Sequence, residues 1–139
     1  MILSVIIVNY RVQYFLELCL RSVQKSTQDV ESEIIVIDNN SEDDSLAYLR
    51  PLFPSVKFIA NTENTGFARA NNLALKQARG KYILFLNPDT IVPENFVKEV
   101  LEFYASAAME TYKSAVKGTG NPADPGLAVH IPSGPSGSA

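Results

Sequence analysis

Residues 34–41 read Ile34-Ile35-Val36-Ile37-Asp38-Asn39-Asn40-Ser41. A branched apolar run gives way, within one position, to a carboxylate, two amides and a hydroxyl. A run of this kind fits a strand buried on both faces, and so a parallel sheet covered on both sides. The polar cluster then falls at the strand's carboxyl end, where ligands collect on such sheets.

The flanking sequence repeats the pattern. Upstream, Ile2 to Val8 is a second nearly continuous apolar run, closed by Asn9 and Tyr10. Val12 to Lys25 has helical spacing, with Phe15, Leu16, Leu18, Cys19, Leu20 and Val23 in a broad apolar stripe. Downstream, Ser41 with Asp44 three residues on suggests an N-capped helix that stops before Pro51. Val56 to Ala60 is a short third strand. Gly66 to Arg79 is helical by the spacing of Phe67, Ala70, Leu73, Ala74 and Ala78, with Gly80 as its C-terminal stop. Lys81 to Leu86 is a fourth strand, broken by Asn87-Pro88-Asp89-Thr90. Pro93 opens a last helix whose inward face is Phe96, Val97, Val100, Leu101 and Tyr104. Alternating strands and helices predict an α/β fold with right-handed crossovers and the first strand in the centre.

This organisation covers residues 1–116. Residues 117–139 hold five Gly, four Pro and three Ser in 23 positions, which predicts a poorly ordered or loosely docked tail. The net charge of −3 and pI near 5.1 argue against a nucleic-acid binder, which needs a basic stripe. Cys19 is the only cysteine, so no disulfide forms within the chain and a reducing compartment fits. The run Ile2–Val8 is too short to span a membrane. A cytoplasmic protein is expected, with any work at the inner face of the membrane done through other parts.

Three clusters can carry chemistry. Asp38-Asn39-Asn40-Ser41 can hydrogen-bond a ribose or a nucleobase, or can simply shape a turn. Asn87-Pro88-Asp89 can present a carboxylate to Mg²⁺ or Mn²⁺, ions that share phosphate oxygens, or can be a plain turn. Asn61 to Phe67 combines amides, a glycine and a helix start, with Gly66 allowing close backbone approach and Phe67 in the core. Cys19 reads as packing, and Arg69 and Arg79 as exposed helix charges. His130 lies in the tail without partners. Gly-x-Gly-x-x-Gly, the P-loop and the Gly-x-Ser-x-Gly elbow are all missing, which disfavours dinucleotide binding, excludes a P-loop, and removes the hydrolase elbow.

Four segments in one order resemble glycosyltransferase family 2, of GT-A fold, and within it the rhamnosyltransferase-like branch. They are Ser4 to Tyr10, Val36 to Ser41, Asn64 to Asn72 and Phe85 to Thr90. The resemblance covers about residues 2 to 104. It implies a Rossmann-like three-layer sandwich and an inverting transfer from a dTDP-, UDP- or GDP-sugar to a glycan or lipid-linked acceptor. By position it implies that Val8 and Tyr10 line the nucleoside pocket and that Asp38 and Asn39 contact base and ribose. Gly66 and Asn71 would flank the donor. Asn87 to Asp89 stands as the variant of the family's Asp-x-Asp motif, with Asp89 on a divalent metal and the diphosphate.

Asn39 and Asn87 replace the Asp found in many members. The half of such domains that holds the acceptor and the catalytic base is expected to be missing, which makes this a truncated GT-A fold. No residue is assigned as the base; Asp124, the tail's only acid, sits in a Pro-Ala-Asp-Pro-Gly turn. The rival expectation is a non-catalytic module that binds a partner or self-associates through an uncovered sheet edge.

Overall fold

In the computed structural model, residues 1–117 and 128–131 are described. The sheet is built around β1 (Leu3–Asn9), in which all seven residues are buried. Its side chains alternate between two cores. Leu3, Val5 and Ile7 enter one, while Ile6 and Val8 enter the other. Both faces must therefore be covered, as the unbroken apolar run demands.

One face is covered by α1 (Gln13–Ser26), α2 (Ser45–Leu52) and α4 (Phe96–Lys117). Leu16, Cys19, Leu20 and Val23 of α1 reach that core together with Leu49, Phe53 and Val97. The other face is covered by α3 (Phe67–Leu75), which contributes Ala70 and Ala74, one helical turn apart. Small residues at that spacing let α3 lie close on the sheet.

The strands β2 (Ser32–Asp38), β3 (Lys57–Ala60), β4 (Tyr82–Leu86) and β5 (Ala128–Ile131) complete a sheet ordered β3-β2-β1-β4-β5. Every recorded pairing is parallel, and β1 is central. The chain steps outward from β1 through β2 to β3, then crosses back to β4 on the other side of β1. Strand order thus reverses between β1 and β4, and the crevice of such a fold opens at their carboxyl ends.

Several local expectations differ from the structure. Ser41 does not cap α2, which begins four residues later; Asp43 accepts the Ser45 amide and hydroxyl there instead. Pro51 lies inside the last turn of α2 and does not end it. The Phe53 amide still bonds Leu49 O, and both residues are buried below the helix. α3 ends at Leu75, five residues before Gly80. Gly80 is required for a different reason: a Cβ there would stand 2.6 Å from the Leu3 carbonyl carbon and 2.7 Å from Ser4 Oγ. The tail reading also changes at one place. Ala128–Ile131 pairs along β4, from Ile83↔Ala128 to Leu86↔Ile131. The rest of that stretch, residues 118–127 and 132–139 with Asp124, lies outside the described residues. Among the described residues, no helix is long and apolar enough to cross a membrane.

Candidate functional site

A cleft of about 680 Å³ opens where strand order reverses. Its walls come from five places. The β1 end supplies Val8 and Tyr10, and the start of α1 supplies Val12 and Phe15. The β2 end supplies Asn39, the approach to α3 supplies Asn64, Gly66 and Phe67, and the turn after β4 supplies Asn87, Pro88 and Asp89.

Asn39 organises the wall beside α3. Its Oδ1 accepts from the Thr65 amide at 3.0 Å, from Thr65 Oγ1 at 3.2 Å and from Asn61 Nδ2 at 3.3 Å. Its own Nδ2 donates to Asn64 Oδ1 at 2.8 Å, and that oxygen also accepts the Gly66 amide. Gly66 has φ +81°, a left-handed conformation that disfavours a side chain, and nothing stands within 4 Å of where a Cβ would be. The conformation, not a neighbouring atom, calls for glycine.

Asp38 stands behind the cleft. It is buried and accepts three short bonds: Asn9 Nδ2 at 2.8 Å, Ser41 Oγ at 2.6 Å and the Ser41 amide at 3.0 Å. Ser41 Oγ in turn accepts the Arg11 amide at 2.9 Å, and Arg11 Nε donates to Ser41 O at 3.1 Å. Arg11, Asn40 and Glu42 all have φ between +56° and +62°. Left-handed backbone costs non-glycine residues about 1 kcal/mol each, so these bonds hold the two loops in an otherwise disfavoured form.

Asp89 is the opposite case. It is exposed, lines the cleft, and is the one carboxylate among the lining residues. Behind its turn lies Cys19, whose thiol donates to Asn87 O at 3.8 Å. Burial pushes the Cys19 thiol up to about 12, and the nearby Asp89 charge adds to the rise against a bond from the Thr90 amide. The thiol therefore keeps its proton and serves as a donor, not a nucleophile.

Of the residues assigned from the sequence, Val8, Tyr10, Asn39, Gly66, Asn87 and Asp89 meet at the cleft. Asp38 and Asn71 do not line it. Asp38 is turned to its own framework, and Asn71 is buried on α3. Val12, Phe15 and Phe67 line the cleft without having been assigned to it, and Asn64 joins them from the Asn61 to Phe67 cluster. Phe15 and Phe67, read as packing and core, are 53% and 48% exposed. Both stand in the first turns of their helices, beside the carboxyl edge of the sheet.

No group of three or more His, Cys, Asp or Glu residues able to hold a metal occurs among the described residues. Asp89, exposed on the cleft, fits an ion that takes most of its ligands elsewhere, as Mg²⁺ and Mn²⁺ do when they share phosphate oxygens. Among the described residues, no Lys or Arg lines the cleft. A diphosphate lying there would face the Asp89 charge directly, and a shared divalent cation removes that repulsion.

An α/β sheet with a lined cleft at its reversal point defines a class of ligand-binding domain but not a reaction. The family follows from comparison: residues 4–121 match the model of glycosyl transferase family 2, and the chain belongs to that family. It is 32% identical over 105 residues to the minor teichoic acid biosynthesis protein GgaB of Bacillus subtilis (strain 168), covering 73% of this chain and 12% of GgaB. The crystal structure of S. aureus TarS 1-349 in complex with UDP-GlcNAc superposes with a TM-score of 0.69 at 27% identity. That match covers 76% of this chain and 32% of the other. The mannosyltransferase PcManGT from Pyrobaculum calidifontis, in complex with GDP-Man and Mn²⁺, gives 0.61 at 25% identity, with 67% and 29% covered. The fold is the GT-A fold, and the chain spans less than a third of the length of these relatives except TarS 1-349, of which it spans about a third.

Proposed function

We propose that the cleft binds the nucleoside diphosphate of a nucleotide sugar, and that the chain forms the donor-binding part of an inverting glycosyltransferase. The single observation that supports this most is where the lining residues meet. Apolar and aromatic groups (Val8, Tyr10, Val12, Phe15) stand on one side, amides (Asn39, Asn64) on another, and one carboxylate at the β4 end. A flat nucleobase suits the first, ribose hydroxyls the second, and a metal-bridged diphosphate the third. The TarS and PcManGT complexes, which hold UDP-GlcNAc and GDP-Man, support the same assignment.

In this reading Val8 and Tyr10 contact the nucleoside, Asn39 and Gly66 border it, and Asp38 acts from behind by holding Asn9 and Ser41. Asn71, buried on α3, stands behind the wall and not on it. Asp89 holds Mg²⁺ or Mn²⁺, and Asn87 borders the diphosphate. When bound, the ion would stabilise the charge that grows on the leaving diphosphate. Attack by an acceptor hydroxyl, on a glycan or a lipid-linked saccharide, needs a base to take its proton. No carboxylate or histidine besides Asp89 lines the described cleft, so the base comes from elsewhere in the enzyme. Work in the cytoplasm, at the inner face of the membrane, fits such an acceptor. The outer strands of the sheet are β3 and β5, the edges at which self-association would occur.

The test is calorimetric titration of UDP, dTDP and GDP, with and without Mn²⁺, into the chain and an Asp89→Ala variant. At least one nucleotide should bind more tightly with Mn²⁺, and that gain should vanish in the variant. Identical behaviour of the two proteins would overturn the assignment of Asp89.

A further inference from the structure

The turn that carries Asp89 belongs to a stretch, residues 87–95, without helix or strand. Loops of this length wander unless something else fixes them. Here one stripe of α1 does so. Phe15, Cys19, Ser22 and Ser26 follow each other at steps of four, three and four residues, so they share one face of the helix. Phe15 is part of the cleft wall. The next two bond the loop in sequence, and the last bonds the first turn of α4 just beyond it. Cys19 Sγ donates to Asn87 O, Ser22 Oγ accepts the Val92 amide at 3.1 Å, and Ser26 Oγ accepts the Val97 amide at 3.1 Å. Ser22 Oγ is itself fixed, because it donates to Cys19 O at 2.8 Å. Val92 and Val97 are buried, so each bond has an apolar anchor beside it.

We propose that Ser22 is a positioning residue that sets how far Asp89 reaches into the cleft relative to the Phe15 wall. This rests on the donor-site reading above. Its physical basis is the direct span: Asp89 lies between the bonds to Cys19 and Ser22, two residues past Asn87 and three before Val92. Both ends of that span are tied to one rigid helix. Ser26 makes the same kind of bond eight residues beyond Asp89 and so does not control the turn.

The test compares the parent chain with Ser22→Ala, Ser22→Thr and Ser26→Ala, using UDP, dTDP and GDP with and without Mn²⁺. Removing one such bond is expected to lower the Mn²⁺-dependent gain in nucleotide affinity about fivefold in Ser22→Ala. Affinity without metal should stay unchanged. Ser22→Thr keeps the hydroxyl and should restore the gain, and Ser26→Ala should keep it while losing some stability. In the parent, Mn²⁺ with nucleotide should also slow hydrogen exchange at the Val92 amide more than nucleotide alone, since coupling between sites is reciprocal. A gain unchanged in Ser22→Ala, an equal loss of metal-free affinity, or Val92 exchange indifferent to Mn²⁺ would overturn the role of Ser22. A parent that shows no Mn²⁺-dependent gain with any of the three nucleotides would overturn the donor-site reading itself, and the positioning role with it.

Discussion

Asp38 and Asp89 stand after neighbouring parts of the same sheet edge, yet their surroundings make them different groups. Asp38 is buried under three donors from Asn9 and Ser41, in a network that also locks Arg11. Asp89 is exposed on the cleft, on a turn whose neighbouring residues bond α1. A buried carboxylate that already accepts three protein donors serves the framework first. One that faces open space can take a ligand. Strand-end position is common to both and decides neither.

The sharpest way to break that contrast is to remove the buried member. Asp38→Ala leaves the Asn9 amide and the Ser41 hydroxyl and N–H without their acceptor. The expected loss is about 3 kcal/mol of stability by urea denaturation, against less than about 0.5 kcal/mol for Asp89→Ala. Equal losses would mean that Asp89 is also framework. A smaller effect concerns the wall opposite. Phe15→Ala should weaken nucleotide binding by about 1 to 2 kcal/mol with and without metal, because the ring offers apolar area and not a ligand. Its stability should change little, as half the ring is already exposed. A loss confined to the metal-bound state would place Phe15 with Asp89 and not with the nucleoside.

The smallest expected effect lies at the other end of the sheet, far from the cleft. Burial alone would raise Glu33, but the bonds from Ser4 Oγ and the Arg79 amide, with the Arg79 charge, outweigh it and hold Glu33 below its ordinary value of 4.5. A carboxyl lowered by folding contributes stability above its unfolded value. That contribution fades as pH falls below 4.5 and through the folded value. Thermal melts of the parent should therefore steepen in their pH dependence below 4.5 relative to Glu33→Gln. Parallel curves would remove this contribution.

Much of the framework was legible in the sequence because it rests on local pattern. The unbroken apolar runs of β1 and β2 require burial on both faces, and the Ala70 and Ala74 pair requires a close helix. Several of the misreadings come from contacts the local pattern does not show. Ser41 has the chemistry of an N-cap, but Asp38 and Arg11 take its hydroxyl. Gly80 follows a helical pattern, yet its lack of a side chain serves the Leu3 and Ser4 backbone. Phe15 and Phe67 follow the spacing of buried residues, yet at the starts of α1 and α3 they line the cleft and stay about half exposed. At the site, the Asn87 to Asp89 turn could be located from the break after an apolar strand. Which of two strand-end acids faces outward could not, because Asn9 is 29 residues from Asp38.

The central claim is that Asp89, and not Asp38, meets the metal. Paramagnetic broadening of amide resonances by Mn²⁺ in the presence of saturating nucleotide tests it most directly. The amides of Asp89 and Thr90 should broaden first and most strongly, and the effect should disappear in Asp89→Ala. Broadening centred on Asn40 to Asp44, or unchanged by Asp89→Ala, would contradict the account.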